Sequence, residues 1–306
     1  MMLSFCKKYW QFMLVQGVLM GVLMGILQLP AFAAVSQYFD KKRAAALGVV
    51  VSGSSIGGIV IPLVLSRLLN ESSMGFGWSV RIVGFVILPF MVFACLGIKA
   101  RLPPRKTQFW LLSAFQDPMY IKMIVSLFFL FFGMFTPIFY LPTYAVQQGM
   151  NTALAGYLLS IFNAASTFGR IIPGILADKY GRLNTLATGG ILTGMMVFCM
   201  TKVHSNAALI VYSVFIGFAS GTISSGGAAA ISLCPKDARD MGTYIGMGLA
   251  IAGVGGLIDP PINGAFLNRY GGFFEATMFS GAMCLVGGFV ALYAKTTSKE
   301  GLFGKY

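Results

Sequence analysis

The sequence contains little charge for its length. Of its 306 residues only 10% are charged, whereas 57% are hydrophobic. Soluble domains carry about 25% charged residues. A soluble protein of this size could not hide so much apolar surface from water, so the composition excludes that class and predicts a membrane protein with lipid as its solvent.

Residues that build reactive or metal-binding sites are also scarce. The five cysteines are scattered without a CxxC pair, and the single histidine, His204, lies in a short polar turn. This spacing favours neither a disulfide framework nor a metal centre. Neither a nucleophile–base set nor a phosphate-binding loop is recognisable. We therefore expect a protein that is not an enzyme and has no cofactor or metal site.

Acidic residues are few, with 9 Asp and Glu against 22 Lys and Arg, which gives a net charge of +13. The basic residues lie in short turns between apolar runs rather than in one patch, which argues against a nucleic-acid partner. Alternate turns hold most of them, and Lys and Arg accumulate on cytoplasmic loops. The basic, predicted cytoplasmic segments are 40–43, 99–106, 179–182, 236–239 and the tail from Lys295.

Nine apolar runs are long enough to span a bilayer, which takes about 20 residues. Together they predict an all-α, polytopic membrane bundle. Their limits are 9–36, 44–66, 78–98, 119–145, 152–177, 184–201, 207–233, 242–267 and 272–294.

The spacing of glycine suggests an internal repeat. The second run reads G-x4-G-x3-G-x4-P from Gly48, and the eighth reads G-x4-G-x2-G-x4-P from Gly248. The first three runs thus resemble the last three. Runs four to six then have no partner, and three spans that should precede residue 1 are expected to be absent.

A polar stripe crosses the fifth run. Asn163, Ser166, Thr167 and Arg170 are spaced at i, i+3, i+4 and i+7, on one face of a helix. A charge inside lipid costs at least about 2.5–3.5 kcal/mol, so such residues usually face a water-filled cavity. We predict that Arg170 binds an anionic group. The alternative is a structural pairing with a carbonyl or a carboxylate near Asp178.

Two further features are candidates for the transport pathway. Asp259 precedes a double proline in the eighth run, and helix breaks often mark ion sites, so it is the candidate for carrying a coupled proton. Its depth argues against a bridge to Arg170, and the alternative is that Asp259 lies near the outer interface. Tyr140 and Tyr144 share a face of the aromatic fourth run and are candidates for the outer mouth of a cavity.

Two motifs carry a family resemblance. The segment Gly174-Ile-Leu-Ala-Asp-Lys-Tyr-Gly-Arg182 resembles the GxLaDrxGr loop of the major facilitator superfamily in its second-half position. Its Asp178 should face a neighbouring helix N-terminus. The segment 38–58, which includes Arg43, resembles the YFxKRRxLAxGxAxxGxxxG signature of the monocarboxylate transporter family, and the segments 75–81 and 101–106 point to its fungal branch.

The resemblance implies a domain plan and a set of motif residues. The plan places family helices 4–6 in 1–98, a connector in 99–118, a six-helix half in 119–294 and a cytoplasmic tail in 295–306. The first three family helices are missing from it. The motif or gating residues it implies are Gly174, Asp178, Gly181, Arg182 and Arg43.

By the same resemblance, the expected function is secondary transport, as a symporter, of a small anionic, monocarboxylate-like organic solute by alternating access. The alternative is a truncated membrane protein that does not transport, being inert or acting through interactions. Animal proton-coupled members carry Asp where this chain has Ser166, which weakens the case for lactate-type symport. The expected partners are membrane lipid and the solute. The plasma membrane is the expected location, with the vacuolar membrane as the alternative.

Overall fold

The computed structural model describes residues 1–99, 101 and 110–297. It confirms the all-helical membrane bundle, because nine helices within these residues are long and apolar enough to cross a membrane and none of these residues forms a strand. The helix ends lie within four residues of the predicted limits. The helices are α1 (Tyr9–Tyr38), α2 (Arg43–Asn70), α3 (Gly75–Gly97), α4 (Pro118–Gln147), α5 (Thr152–Tyr180), α6 (Arg182–Lys202), α7 (Asn206–Ile231), α8 (Met241–Tyr270) and α9 (Phe274–Thr296).

Short irregular turns accompany these helices. A π-helical stretch, Met13–Leu19, lies within α1, and α6 ends in the 3-10 turn Met200–Lys202. Two further 3-10 helices, Met2–Phe5 and Leu112–Gln116, stand outside the spans. The predicted connector and the predicted tail lie partly outside the described residues.

The helix α4 is not continuous, although its sequence predicts one run. It divides at Phe135 into Pro118–Met134 and Thr136–Gln147. Pro137 lies at the start of the second segment and has no N–H to donate to the carbonyl one turn earlier, which breaks the ladder of hydrogen bonds. A bend point therefore lies within the span.

Side-chain caps fix where several helices begin. The carboxylate of Asp117 accepts a hydrogen bond from the backbone N–H of Met119, 2.9 Å away, and Pro118 occupies the first helical position. Asn151 caps α5 in the same way through the N–H of Ala153. Caps of this kind satisfy backbone donors that the first turn leaves free.

The described core is concentrated in α4–α9. One cluster of buried apolar side chains includes Leu127, Leu186 and Ile231 and reaches α2 through Leu47. A second cluster lies around Leu158, Leu209 and Phe273. Helices α4 to α9 thus form a packed unit, and α2 is the N-terminal helix that joins it most closely.

Helices α1 and α3 bury little within the described chain. The most apolar window of α3 has none of its residues buried, whereas that of α7 has 56% buried. The helices of the predicted repeat, α1 and α7, differ in how closely they pack. Nothing lies within 4 Å of a Cβ placed on Gly21 in α1, whereas a Cβ on Gly217 in α7 would overlap the carbonyl oxygen of Phe162. The apolar faces of α1 and α3 are suited to contact with lipid or other helices.

Candidate functional site

The loop motif joins the end of α5 to the start of α2. The carboxylate of Asp178 accepts hydrogen bonds from the backbone N–H groups of Ala44 at 3.1 Å and Ala45 at 2.9 Å. The positive end of the α2 dipole favours an anion at this place. This geometry agrees with the expectation that Asp178 faces a neighbouring helix N-terminus.

Two arginines extend this junction to α7. Arg182 donates to Asp178 at 3.4 Å and to the hydroxyl of Ser232 at 3.0 Å. Arg43 donates to the carbonyl oxygen of Ser232 at 3.3 Å and to the carboxylate of Asp40 at 3.0 Å. The Asp40 side chain is 92% exposed, so its ion pair with Arg43 contributes little. We call these five residues the latch cluster.

Small residues let α2 and α5 approach closely beside the latch cluster. A Cβ on Gly174 would lie 2.9 Å from the carbonyl oxygen of Ala44, and a Cβ on Gly48 would overlap that of Arg170. Gly181 connects α5 to α6 with a φ of 103°, a conformation that favours glycine. The two helices stay in contact as far as Gly58, whose added Cβ would meet Asn163.

The described α2–α5 contact therefore runs from the motif turn to the middle of α5. Beyond Gly58, α2 is mostly exposed or half-buried as far as its end at Asn70. The interface between the two helices is thus closed on the predicted cytoplasmic side.

Arg170 lies in this interface. Its Nη1 donates to the carbonyl oxygen of Val51 at 2.8 Å and to the hydroxyl of Ser54. Its Nε is buried without a hydrogen-bond partner. Within the described residues it forms no ion pair. The guanidinium is therefore held by neutral groups and keeps an unused donor.

The rest of the polar stripe is divided between two neighbours. Asn163 donates to the carbonyl oxygen of Gly58 at 3.4 Å, towards α2, and Thr167 donates to the carbonyl oxygen of Asn163 at 3.0 Å. Ser166 is 1% exposed, and its hydroxyl would lie 3.0 Å from a Cβ on Gly221 of α7. In this conformation the four residues do not share one cavity-facing surface.

The two tyrosines of α4 lie together near its C-terminal end, which is predicted to be the outer one. Tyr140 donates its hydroxyl to the carbonyl oxygen of Pro260 at 2.7 Å, and Tyr144 donates to that of Val203 at 3.0 Å. Both rings contact Phe273 edge-on. Tyr144 is only 3% exposed. Its ring packs between helices rather than lining an open mouth.

Asp259 is enclosed within the bundle. The sequence allowed a position near the outer interface, but the side chain is not exposed to solvent. It is fully buried, and its carboxyl group contacts Thr136 of α4, Ser280 of α9 and Asn263 of α8. Sequence reasoning missed the last three residues. The i, i+4 spacing of Asp259 and Asn263 was the available signal.

Among the described residues outside the spans, Cys234 has a shifted pKa. Burial, followed by the nearby Asp117 carboxylate, raises the pKa of the Cys234 thiol to about 12. Cys234 follows the latch-cluster residue Ser232 by two positions. The described part of the chain contains no group of three His, Cys, Asp or Glu side chains placed to hold a metal ion.

Comparisons with known proteins agree with this architecture. The family model described as Major Facilitator Superfamily matches residues 1–201 and again 123–304. The chain is 50% identical over 301 residues to the aspyridones efflux protein apdF of Emericella nidulans, and it is 39% identical over 310 residues to the agnestins efflux protein AgnL12 of Paecilomyces divaricatus. These matches cover 98% and 99% of this chain, but 62% and 70% of the two relatives.

A solved structure has the same fold. The crystal structure of the Major Facilitator Superfamily transporter FucP in the outward conformation aligns with a TM-score of 0.69 at 16% identity, over 87% of this chain and 72% of that one. At this identity the likeness concerns the fold alone.

Proposed function

The chain belongs to the Major Facilitator Superfamily, and from this premise we propose that it is a secondary transporter that moves a small anionic organic solute by alternating access. It is a multi-pass integral membrane protein. The observation that carries the proposal is the guanidinium of Arg170, which is half-buried, bound by neutral groups and left with an unused donor.

An anion is the solute class that this geometry favours. A guanidinium in a membrane helix is costly to bury and is usually retained for a function. Its flat array of donors matches a carboxylate, which it binds through two parallel hydrogen bonds. Arg170 donates to Val51 and Ser54 across the α2–α5 interface. A bound carboxylate would exchange these neutral acceptors for a charged one and would loosen that interface.

Alternating access requires an interface that can open and close. In the described conformation α2 and α5 are joined at the latch cluster and at Gly48. The closed part includes Arg170, whereas the remainder of α2 beyond Gly58 is exposed or half-buried. This arrangement supports a cycle in which the cytoplasmic contacts release when Arg170 takes up solute from the inside.

The direction we propose is export. Two relatives are named efflux proteins, for aspyridones and for agnestins. The chain spans 62% of the length of the first. The proposal for this chain is therefore limited to outward movement of an organic anion, and the choice of solute belongs to experiment.

The finer family placement is also proposed. The signature 38–58 supports a monocarboxylate-transporter-like branch, with family helices 4–6 in α1–α3 and the second six-helix half in α4–α9. Within this plan, Asn163, Thr167 and Ser166 assist Arg170, and Tyr140 and Tyr144 support the outer end of the pathway. We place the protein in the plasma membrane.

Binding tests this proposal directly. The purified full chain in lipid nanodiscs is titrated with a panel of aromatic and aliphatic monocarboxylates and with the primary amide of each, which has the same shape without the charge. The midpoint of thermal unfolding is the readout, because a ligand that binds the folded state raises it. We expect at least one acid to raise the midpoint and its amide to have no effect.

The variants Arg170→Lys and Arg170→Ala should bind that acid more weakly. Charge-assisted hydrogen bonds contribute about 1.5–3 kcal/mol, which corresponds to about tenfold to a hundredfold in Kd. Arg269→Ala is the matched control, since Arg269 is exposed at the far end of α8. Equal effects of acids and amides, or wild-type binding by both Arg170 variants, would contradict the proposal and favour a chain that does not transport.

A further inference from the structure

Four polar side chains form a closed cluster inside α4, α8 and α9. They are Asp259, Asn263, Thr136 and Ser280, and each is at most 1% exposed. Every pair among the four lies within hydrogen-bond distance, from 2.6 Å between Asn263 and Asp259 to 3.2 Å between Ser280 and Asp259. The cluster is therefore compact and completely interconnected.

No positive charge in the part of the chain that the structure describes pairs with the carboxyl group. Within the described residues Asp259 takes part in no ion pair. The titratable groups that lie near it are the Tyr140 phenol of α4 and the Cys284 thiol of α9, and both are neutral in ordinary conditions. An ionised carboxylate in such a place would be buried without a partner charge, which is costly even with the three hydrogen-bond donors around it.

The number of hydrogens available for hydrogen bonds in the cluster also favours a protonated Asp259. Thr136 and Ser280 each carry one hydroxyl hydrogen, and the shortest hydroxyl contact, 2.7 Å, joins these two residues. The amide of Asn263 carries two hydrogens, yet its nitrogen lies near all three other residues while its oxygen is buried without a partner. These hydrogens cannot serve every pair, and a proton on Asp259 would supply one more.

The closest contact in the cluster joins the amide of Asn263 directly to the carboxyl group. The Asp259 Oδ1 and Asn263 Nδ2 atoms are 2.6 Å apart, which is slightly shorter than the usual 2.7–3.2 Å of N–H···O bonds. The two groups touch directly, with no space for a counter-ion between them.

The break in α4 and the proline pair of α8 meet at this cluster, although α8 itself is continuous there. Thr136 is the first residue after the break of α4 at Phe135, and Asp259 precedes Pro260 and Pro261 in α8. Proline removes backbone hydrogen bonds and makes bending easier. A bend at these points would open the cluster to water.

We propose that Asp259 is the proton-binding site of the transport cycle. It is protonated in the described conformation, and it releases its proton when α4 and α8 bend. In that step the Asp259 O–H bond breaks, the carboxylate remains and the proton passes to water; reprotonation reverses it. The coupling role rests on the proposed transport function, whereas the protonated state does not. Sodium is a poorer occupant, because the direct contacts leave no gap between the oxygens for an ion.

Infrared spectroscopy of the purified full chain in nanodiscs tests the protonated state without any need for transport. The wild type should show the carbonyl stretch of a protonated carboxylic acid, sensitive to exchange into D2O. Asp259→Asn should lose this band, and the control Glu71→Gln, an exposed carboxyl in the α2–α3 turn, should keep it. Asn263→Ala should shift the band rather than remove it.

Several results would overturn the inference. One is a wild-type spectrum without a protonated carboxyl band, which is decisive even if a variant fails to fold. A second is a band that persists in Asp259→Asn. A third is a thermal midpoint of the wild type that rises with NaCl but not with KCl, together with the loss of this rise in Asp259→Asn, which would indicate a sodium site. In proteoliposomes, export by Asp259→Asn that still followed an imposed pH gradient would overturn the coupling role. A band without any export would leave the protonated site standing and contradict the proposed function alone.

Discussion

The carboxylate of Asp178 accepts the backbone N–H of Ala45 at 2.9 Å, so the last turn of α5 is fastened to the first turn of α2. The bond is charge-assisted and lies on the axis of the α2 dipole. It crosses between helices that we assign to different halves of the transporter. The stability of the closure on the predicted cytoplasmic side therefore depends on a single, 10% exposed carboxylate and its neighbours.

Asp178→Asn should open the predicted cytoplasmic side. The amide oxygen can keep one of the two backbone bonds, but the charge and its contact with Arg182 are lost, at a cost of about 1–3 kcal/mol. We expect faster alkylation of Cys234, measured by mass in a variant whose other four cysteines are serine. Asp237→Asn, in the exposed turn before α8, is the control. Unchanged Cys234 labelling in Asp178→Asn would show that the carboxylate does not hold the closure.

The pH dependence of that alkylation follows from the burial of Cys234. The thiolate is the reactive form, and the pKa of this thiol is about 12 against an ordinary value of 9.0. Below about pH 9 the thiol is neutral in both the folded and the unfolded state. Between about 9 and 12 only the unfolded state loses the proton, so this group stabilises the folded state less as the pH rises. We expect the folded chain to react slowly up to pH 9 and the chain in denaturing detergent to react readily there; equal rates would contradict the burial of this thiol.

Gly48→Leu should separate α2 from α5. Its side chain would overlap the backbone of Arg170, and overpacking of this kind costs about 1–3 kcal/mol. The matched control is Gly53→Leu on the same helix, where nothing lies within 4 Å of the added Cβ. We expect a lower thermal midpoint and faster Cys234 labelling for the first variant and near wild-type behaviour for the second. Equal thermal midpoints and equal labelling rates in the two variants would show that α2 and α5 do not touch at Gly48.

Tyr144→Phe should affect stability rather than solute binding. The change removes the hydrogen bond to the carbonyl oxygen of Val203 and keeps the ring against Phe273, at a cost of about 1 kcal/mol. Thermal unfolding and the acid titration measure the two effects separately. A weakened affinity with an unchanged midpoint would instead indicate that the Tyr144 hydroxyl contacts the solute.

The helices were predictable because each depends on its own residues. A run of apolar residues about 20 long specifies a span whatever surrounds it. The break in α4 is local as well, and Pro137 was its visible signal. The motif led us to expect that Asp178 faces a neighbouring helix N-terminus, because a motif carries tertiary information that composition lacks; it did not say that the neighbour is α2.

The surroundings of the polar residues were harder to foresee, because they depend on which helices are neighbours. Successive residues of a helix are turned by about 100°, so a stripe at i, i+3, i+4 and i+7 is broad enough to meet two partners. Ser166 consequently meets α7, whereas Arg170 meets α2. The cluster around Asp259 draws on three helices, and no local pattern links Thr136 or Ser280 to it.

The export of an organic acid by the chain itself tests the central proposal most directly. Proteoliposomes that contain the full chain are loaded with the acid that gave the largest thermal shift, or with its amide, and efflux is followed by rapid filtration. We predict efflux of the acid above protein-free vesicles, none of the amide, and a loss of at least tenfold in Arg170→Lys and Arg170→Ala but not in Arg269→Ala. Acid efflux that is the same in the Arg170 variants as in the wild type, or no efflux at all from the wild type, would contradict the account.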